Sequence, residues 1–144
     1  MASRSPWLAV VLAAIPLAAH HSTAAFDKTK TVPLVGTIAE ITWMNPHAQM
    51  SLDVKNSSGE TERWIIELPS PLVLTNRGWK RNDVSTGDQI AIDGWLQKTG
   101  AARAVARRAH LPGGRTISTL TAWDCASAEQ EGCAGAFQLG PDIR

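Results

Sequence analysis

Apolar and polar residues alternate in five separate stretches of this chain, and helix signals interrupt the pattern between the third and the fourth. In Leu34–Trp43 the parity puts Val35, Thr37, Ala39, Ile41 and Trp43 on one face and Ile38 on the other. Gly36 and the three-residue step from Ile38 to Ile41 predict a bend or bulge in this first strand. Asn45-Pro46 ends it. Ala48, Met50, Leu52 and Val54 then alternate with Gln49, Ser51 and Asp53, and Asn56-Ser57-Ser58-Gly59 forms a hairpin turn. Trp64, Ile66 and Leu68 alternate with Arg63, Ile65 and Glu67 in the third strand.

Ser70-Pro71 opens a short helix. Ser70 can accept from an unpaired amide of the first turn, Pro71 suits the first helical position, and Gly78 suits the left-handed residue after the end. Leu72, Val73 and Leu74 are expected on its buried side, with Trp79 covering the barrel end. Gln89–Leu96 is a fourth strand with Ile90 and Ile92 inward and Trp95 on the opposite face. Ala101–His110 is ambiguous: its Ala and Arg content favours helix, but its place after a strand and a turn favours a fifth strand, and it is read as one. Pro112-Gly113-Gly114 turns into a short return at Arg115–Ile117. Three strands, a helix and two strands is the order of the oligonucleotide/oligosaccharide-binding (OB) barrel. The expected fold is therefore all-β with small α content, a five-stranded OB-like β-barrel with one short helix between strands three and four. Alternation alone leaves open a closed barrel or an open sandwich.

The ends change the picture. Residues 1–19 have a positive start at Arg4, an apolar run from Trp7 to Ile15 too short to span a bilayer, and small residues at the end. They read as a signal peptide, which implies a periplasmic or secreted protein with no stable membrane anchor once it is cut. Residues 20–31 form a polar, Ala-rich arm that Phe26 could pin to the barrel, 32–117 the barrel domain, and 118–144 a C-terminal extension. Without the leader, the 13 acidic residues are matched by as many Lys and Arg. A neutral chain has no global field to gather nucleic acid, and no nucleic-acid partner is expected. Cys125 and Cys133 are the only cysteines. In an oxidising compartment they are expected to pair, closing a short loop worth roughly 2–3 kcal/mol.

Cleavage also creates chemistry. A cut after Ala19 makes His20 the first residue, whose free α-amine and ring Nδ1 form a two-nitrogen chelate; a cut after Ala18 puts His20 second and His21 third, which also suits Cu(II) or Ni(II). His47, in the Trp43-Met44-Asn45-Pro46-His47 corner, could add a third nitrogen. A nitrogen-rich tetragonal set favours copper. His20, His21 and His47 are the candidate metal ligands, and copper the candidate cofactor. The competing reading makes the two N-terminal histidines a solvated terminus and His47 a corner residue bonded to backbone. Met44 and Met50 could add a soft ligand for Cu(I), but packing is the expected role of each. His110 is expected to be solvated, and Asp53, Glu67 and Asp93 to lie on outward faces.

Arg103, Arg107, Arg108, Arg115 and Lys98 cluster in sequence. With Trp95 as a stacking surface, Arg103, Arg107 and Arg108 could meet an unknown protein or a polyanionic glycan; an ordinary solvated face is the alternative. The chain carries no GxSxG elbow, phosphate-cradling glycine loop or H-x-E…C-x-x-C set, so no catalytic residues are assigned.

Several short patterns resemble a family of small exported bacterial proteins known as domain of unknown function 6152. They are Ala19-His20-His21-Ser22 with Phe26-Asp27, Gly36-Thr37, Trp43-x-Asn45-Pro46-His47, Ser70-Pro71 with Arg77-Gly78-Trp79, Gly87-Asp88, and Leu111-Pro112-x-Gly114-Arg115. The resemblance covers roughly residues 19–117. It implies a periplasmic or secreted location, a compact β-barrel and no established activity. It makes the His-His and Asn-Pro-His residues the natural bet for a shared site. Thr23 replaces an expected aromatic, Gly113 an acidic turn residue, and the cysteine-bearing tail is an addition.

Overall fold

The computed structural model describes residues 23–119. A 3₁₀ turn at Thr23–Ala25 leads into β1 (Val32–Thr42), β2 (Gln49–Lys55), β3 (Thr61–Glu67), helix α1 (Pro71–Asn76), β4 (Gln89–Leu96), β5 (Arg103–His110) and β6 (Thr116–Ser118). Antiparallel pairs run β3-β2-β1-β4-β5-β6, and a parallel pairing of β3 with β5 closes the first five strands into a barrel. The expected five-stranded OB-like barrel, with its helix between β3 and β4, is the observed fold, and it is closed.

Closure explains the length of β1. Thr42 pairs with Gln49, Gln49 with Glu67, Glu67 with Val105 and Val105 with Trp95. Trp95 adjoins Gly94, the partner of Val32. One circuit thus leaves β1 at its last residue and returns at its first, the stagger that a tightly tilted small barrel requires. An 11-residue β1 is long enough to serve β4 with its first half and β2 with its second.

Two bulges set which side chains face the core. In β1 the register shifts between Ile38 and Glu40, leaving Ala39 as the extra residue. Before it Leu34 and Ile38 point inward; after it Ile41 and Trp43 pack on the core. The parity reading that grouped Val35, Thr37 and Ala39 with Ile41 and Trp43 is corrected here, because a bulge moves later residues to the other face. Val35 is 62% exposed. Gly36 lets β1 approach β2: a Cβ there would collide with the Asp53 carbonyl oxygen. In β5 the partners jump from Asp93↔Arg108 to Gly94↔Ala106, so Arg107 is the extra residue. Ala104, Ala106 and Ala109 are all buried as a result.

The barrel interior is filled by Leu34, Ile38, Met50, Leu52, Ile66, Ile90 and Ile92, with Leu74 and Trp79 packed into the same core. Each fully buried Leu, Ile or Met stabilises the fold by about 1.5–3 kcal/mol. Helix α1 is capped as expected: the Val73 amide donates to Ser70 Oγ at 3.4 Å, and Gly78 has φ +85°. Its orientation differs from expectation. Leu74 is its fully buried residue, while Leu72 is 68% exposed. Six residues make less than two turns, and one stripe of so short a helix reaches the core. The β5–β6 turn closes over the same end: Arg115 pairs with Asp83 at 2.6 Å and donates to the Gly78 carbonyl at 3.1 Å.

Candidate functional site

The corner between β1 and β2 is fixed from both sides. Before it, Trp43 packs edge-on against the buried Trp79, with ring centroids 6.0 Å apart, and its carbonyl accepts from Arg81 at 3.4 Å. After it, Ala48 exchanges backbone hydrogen bonds with Pro69 and Leu68 at 3.1 and 3.0 Å. Between these points Met44, Asn45, Pro46 and His47 are exposed, with the Asn45–Pro46 peptide cis. Met44, expected to pack, is instead 63% exposed; Met50 is fully buried, as expected. A thioether and an imidazole are thus accessible three residues apart on one held turn.

The other described histidine is differently placed. His110 lies 3.0 Å from Asp93 through Nε2 and 3.0 Å from Thr116 Oγ through Nδ1. Both ring nitrogens are engaged, so it is part of a polar network on the β4–β5–β6 wall and not a simply solvated side chain. Arg108 joins through Asp93 at 3.4 Å.

Trp95 faces away from the barrel interior, as its parity indicates, but it is not available to stack on a ligand. It is fully buried. The arm covers it: Phe26, also buried, forms a β-bridge with Gln97, and Asp27 donates to the Leu96 carbonyl at 2.8 Å. Lys28 Nζ lies 5.2 Å from the Trp95 ring centroid and the Arg107 guanidinium 5.0 Å, both within cation–π reach. Arg107 also donates to Thr31 Oγ at 2.6 Å. Lys28 carried no signal in the sequence, because the arm's return onto β4 is a long-range contact.

The remaining cations of the sequence cluster are likewise committed. Arg103 pairs with Glu67 at 2.6 Å, Arg108 with Asp93, and Arg115 with Asp83. Lys98 donates to the Ala24 carbonyl at 2.9 Å. These contacts neutralise or cover the patch proposed for a glycan or protein. Paired carboxylates behave accordingly. The Arg63 hydrogen bond holds Asp53 below its ordinary value, and the Lys80 amide, with Arg115, does the same for Asp83.

Among the described residues no three His, Cys, Asp or Glu converge to hold a metal. His20, His21, Cys125 and Cys133 lie outside the described residues. The described arm reaches β4 beside the start of β1, and His47 follows the end of β1. No helix among the described residues is long and apolar enough to cross a membrane.

Fold and surface together define a small closed OB-like barrel with Met44 and His47 exposed at one corner. The chain belongs to a family of unknown function, DUF6152, whose model matches residues 9–108. No curated protein and no solved structure matches it.

Proposed function

We propose that this protein is an exported binding module of the periplasm or cell exterior, and that its ligand is a copper ion. Removal of residues 1–19 frees the His20 amine. The ligands are then the His20 amine and ring, His21, and His47 at the barrel corner. Cys125 and Cys133 pair in the same oxidising compartment, outside the metal site. The role is handling or delivery of the metal.

The observation that supports this reading is the exposure of His47 on a turn held at both ends by Trp43 and Ala48. A preplaced imidazole costs little reorganisation when it meets a metal already chelated elsewhere. Met44 beside it offers a soft donor for the reduced ion. The reading in which Trp95 and the 103–108 arginines recruit a partner lacks comparable support, because those side chains are covered or paired. Cu(II) titration of the exported protein, its N-terminus defined by mass, tests the proposal. His47→Ala is expected to weaken Cu(II) affinity at least tenfold, and unchanged affinity would remove His47 from the site.

A further inference from the structure

The cations of this formally neutral chain are not evenly neutralised. Arg63, Arg103, Arg108 and Arg115 each have a carboxylate partner. Lys28, Lys30, Lys55 and Lys98 form no ion pair among the described residues, and neither do Arg77, Lys80 and Arg81, although Lys80 acts on Asp83 at longer range. The last three follow one another on the segment that closes α1 and passes the β1–β2 corner, where Arg81 reaches the Trp43 carbonyl. Asp83, the nearest acid in sequence, pairs with Arg115 and accepts a hydrogen bond from the Lys80 amide.

The same end of the barrel carries two of the three large apolar side chains that are exposed among the described residues, Met44 and Leu72, at 63% and 68%. Their placement beside the cations is fixed. Arg77 caps the helix that bears Leu72. Arg81 reaches the carbonyl of Trp43, the residue before Met44. Thr75 and Asn76, which share the exposed side of α1 with Leu72, are uncharged.

We infer that this end of the barrel is a reversible docking surface for an anionic phospholipid bilayer. Isolated apolar side chains that project from a helix and a turn, with cations outside any ion pair on the connecting segment, suit insertion between headgroups; a protein partner would require a continuous apolar patch or a concavity. The cations supply attraction to lipid phosphates, and Leu72 and Met44 supply shallow apolar burial. Three charges and two side chains give weak, salt-sensitive binding and not a permanent anchor. This surface shares Met44 with the proposed copper corner but needs no metal, so a chelator separates the two.

Vesicle co-sedimentation of the exported protein, in the presence of a chelator, tests it. Binding is expected to vesicles containing phosphatidylglycerol, not to phosphatidylcholine alone, and to fall with salt. Lys80→Glu should lower the bound-to-free ratio several-fold, and the K80E/R81E double variant at least tenfold. Lys55→Glu makes the same charge change on exposed β2, on the hairpin at the other end of the strand pair, and should leave it unchanged. Leu72→Ser should lower it several-fold without altering charge. Circular dichroism of each variant establishes that the barrel is intact. No binding to phosphatidylglycerol vesicles, or equal loss with Lys55→Glu, would overturn the inference. Equal binding to a polyglutamate surface that survives Leu72→Ser would assign the site to acidic polymers instead.

Discussion

The outer wall around Trp95 and the corner around His47 are built from equally suggestive residues, yet only one of them is open. At the wall, an aromatic ring and several arginines look like a recognition surface in sequence. In the fold, Phe26 and Lys28 of the arm close over the ring, the β5 bulge places Arg107 beside it, and neighbouring arginines meet carboxylates. At the corner, Met44, expected to pack, and His47, a candidate ligand, stand exposed. Residue type alone does not mark a site. What marks it is whether the local structure has left the side chain's surface exposed.

Breaking the wall should be the costliest change. Trp95→Ala removes a fully buried ring and the surface on which the arm lies, and should lower stability by about 3–5 kcal/mol in urea unfolding. A loss under about 1 kcal/mol would show that the wall is not packed. Gly36→Ala comes next. Its Cβ would collide with the β2 backbone, and prising β1 from β2 should cost about 1–3 kcal/mol in the same assay.

A smaller effect is pH-dependent and belongs to the barrel end. The Asp83 carboxyl sits below its ordinary value of 3.8, chiefly through the Lys80 amide and then Arg115. A carboxylate with a lowered folded pKa contributes stability that is fully present above its unfolded value and lost as pH falls through the folded one. Asp83→Asn should therefore destabilise the protein at neutral pH, and the gap should close as pH drops below 3.8. A gap that widened on acidification would contradict the assignment. At the corner end, Leu72→Ser should change stability by no more than about 0.5 kcal/mol, as expected for a side chain that is 68% exposed. A larger loss would make Leu72 a core residue after all.

Strand order and the helix position were legible because alternation, turn residues and the Ser70-Pro71 start all agree. The β1 bulge announced itself through the Ile38-to-Ile41 step, although not the residue at which the faces exchange. The β5 bulge gave no sign, since a run of Ala and Arg carries no parity to break. Its effect is decisive for the surface: the extra residue at Arg107 keeps Ala109 inward and Arg108 and His110 outward. Trp95 was placed correctly on the outer face, but its cover depends on a mostly polar arm folding back from far away in sequence. The exposure of Leu72 turned on helix length, which the apolar triplet Leu72-Val73-Leu74 could not specify.

The most direct measurement is Cu(II) titration, followed by electron paramagnetic resonance, of the exported protein and its His47→Ala variant, each with a mass-defined N-terminus. One tight nitrogen-rich site in a chain starting at His20, weakened at least tenfold by His47→Ala, is the expected result. Weak binding that is unchanged by His47→Ala would contradict a copper site at the corner.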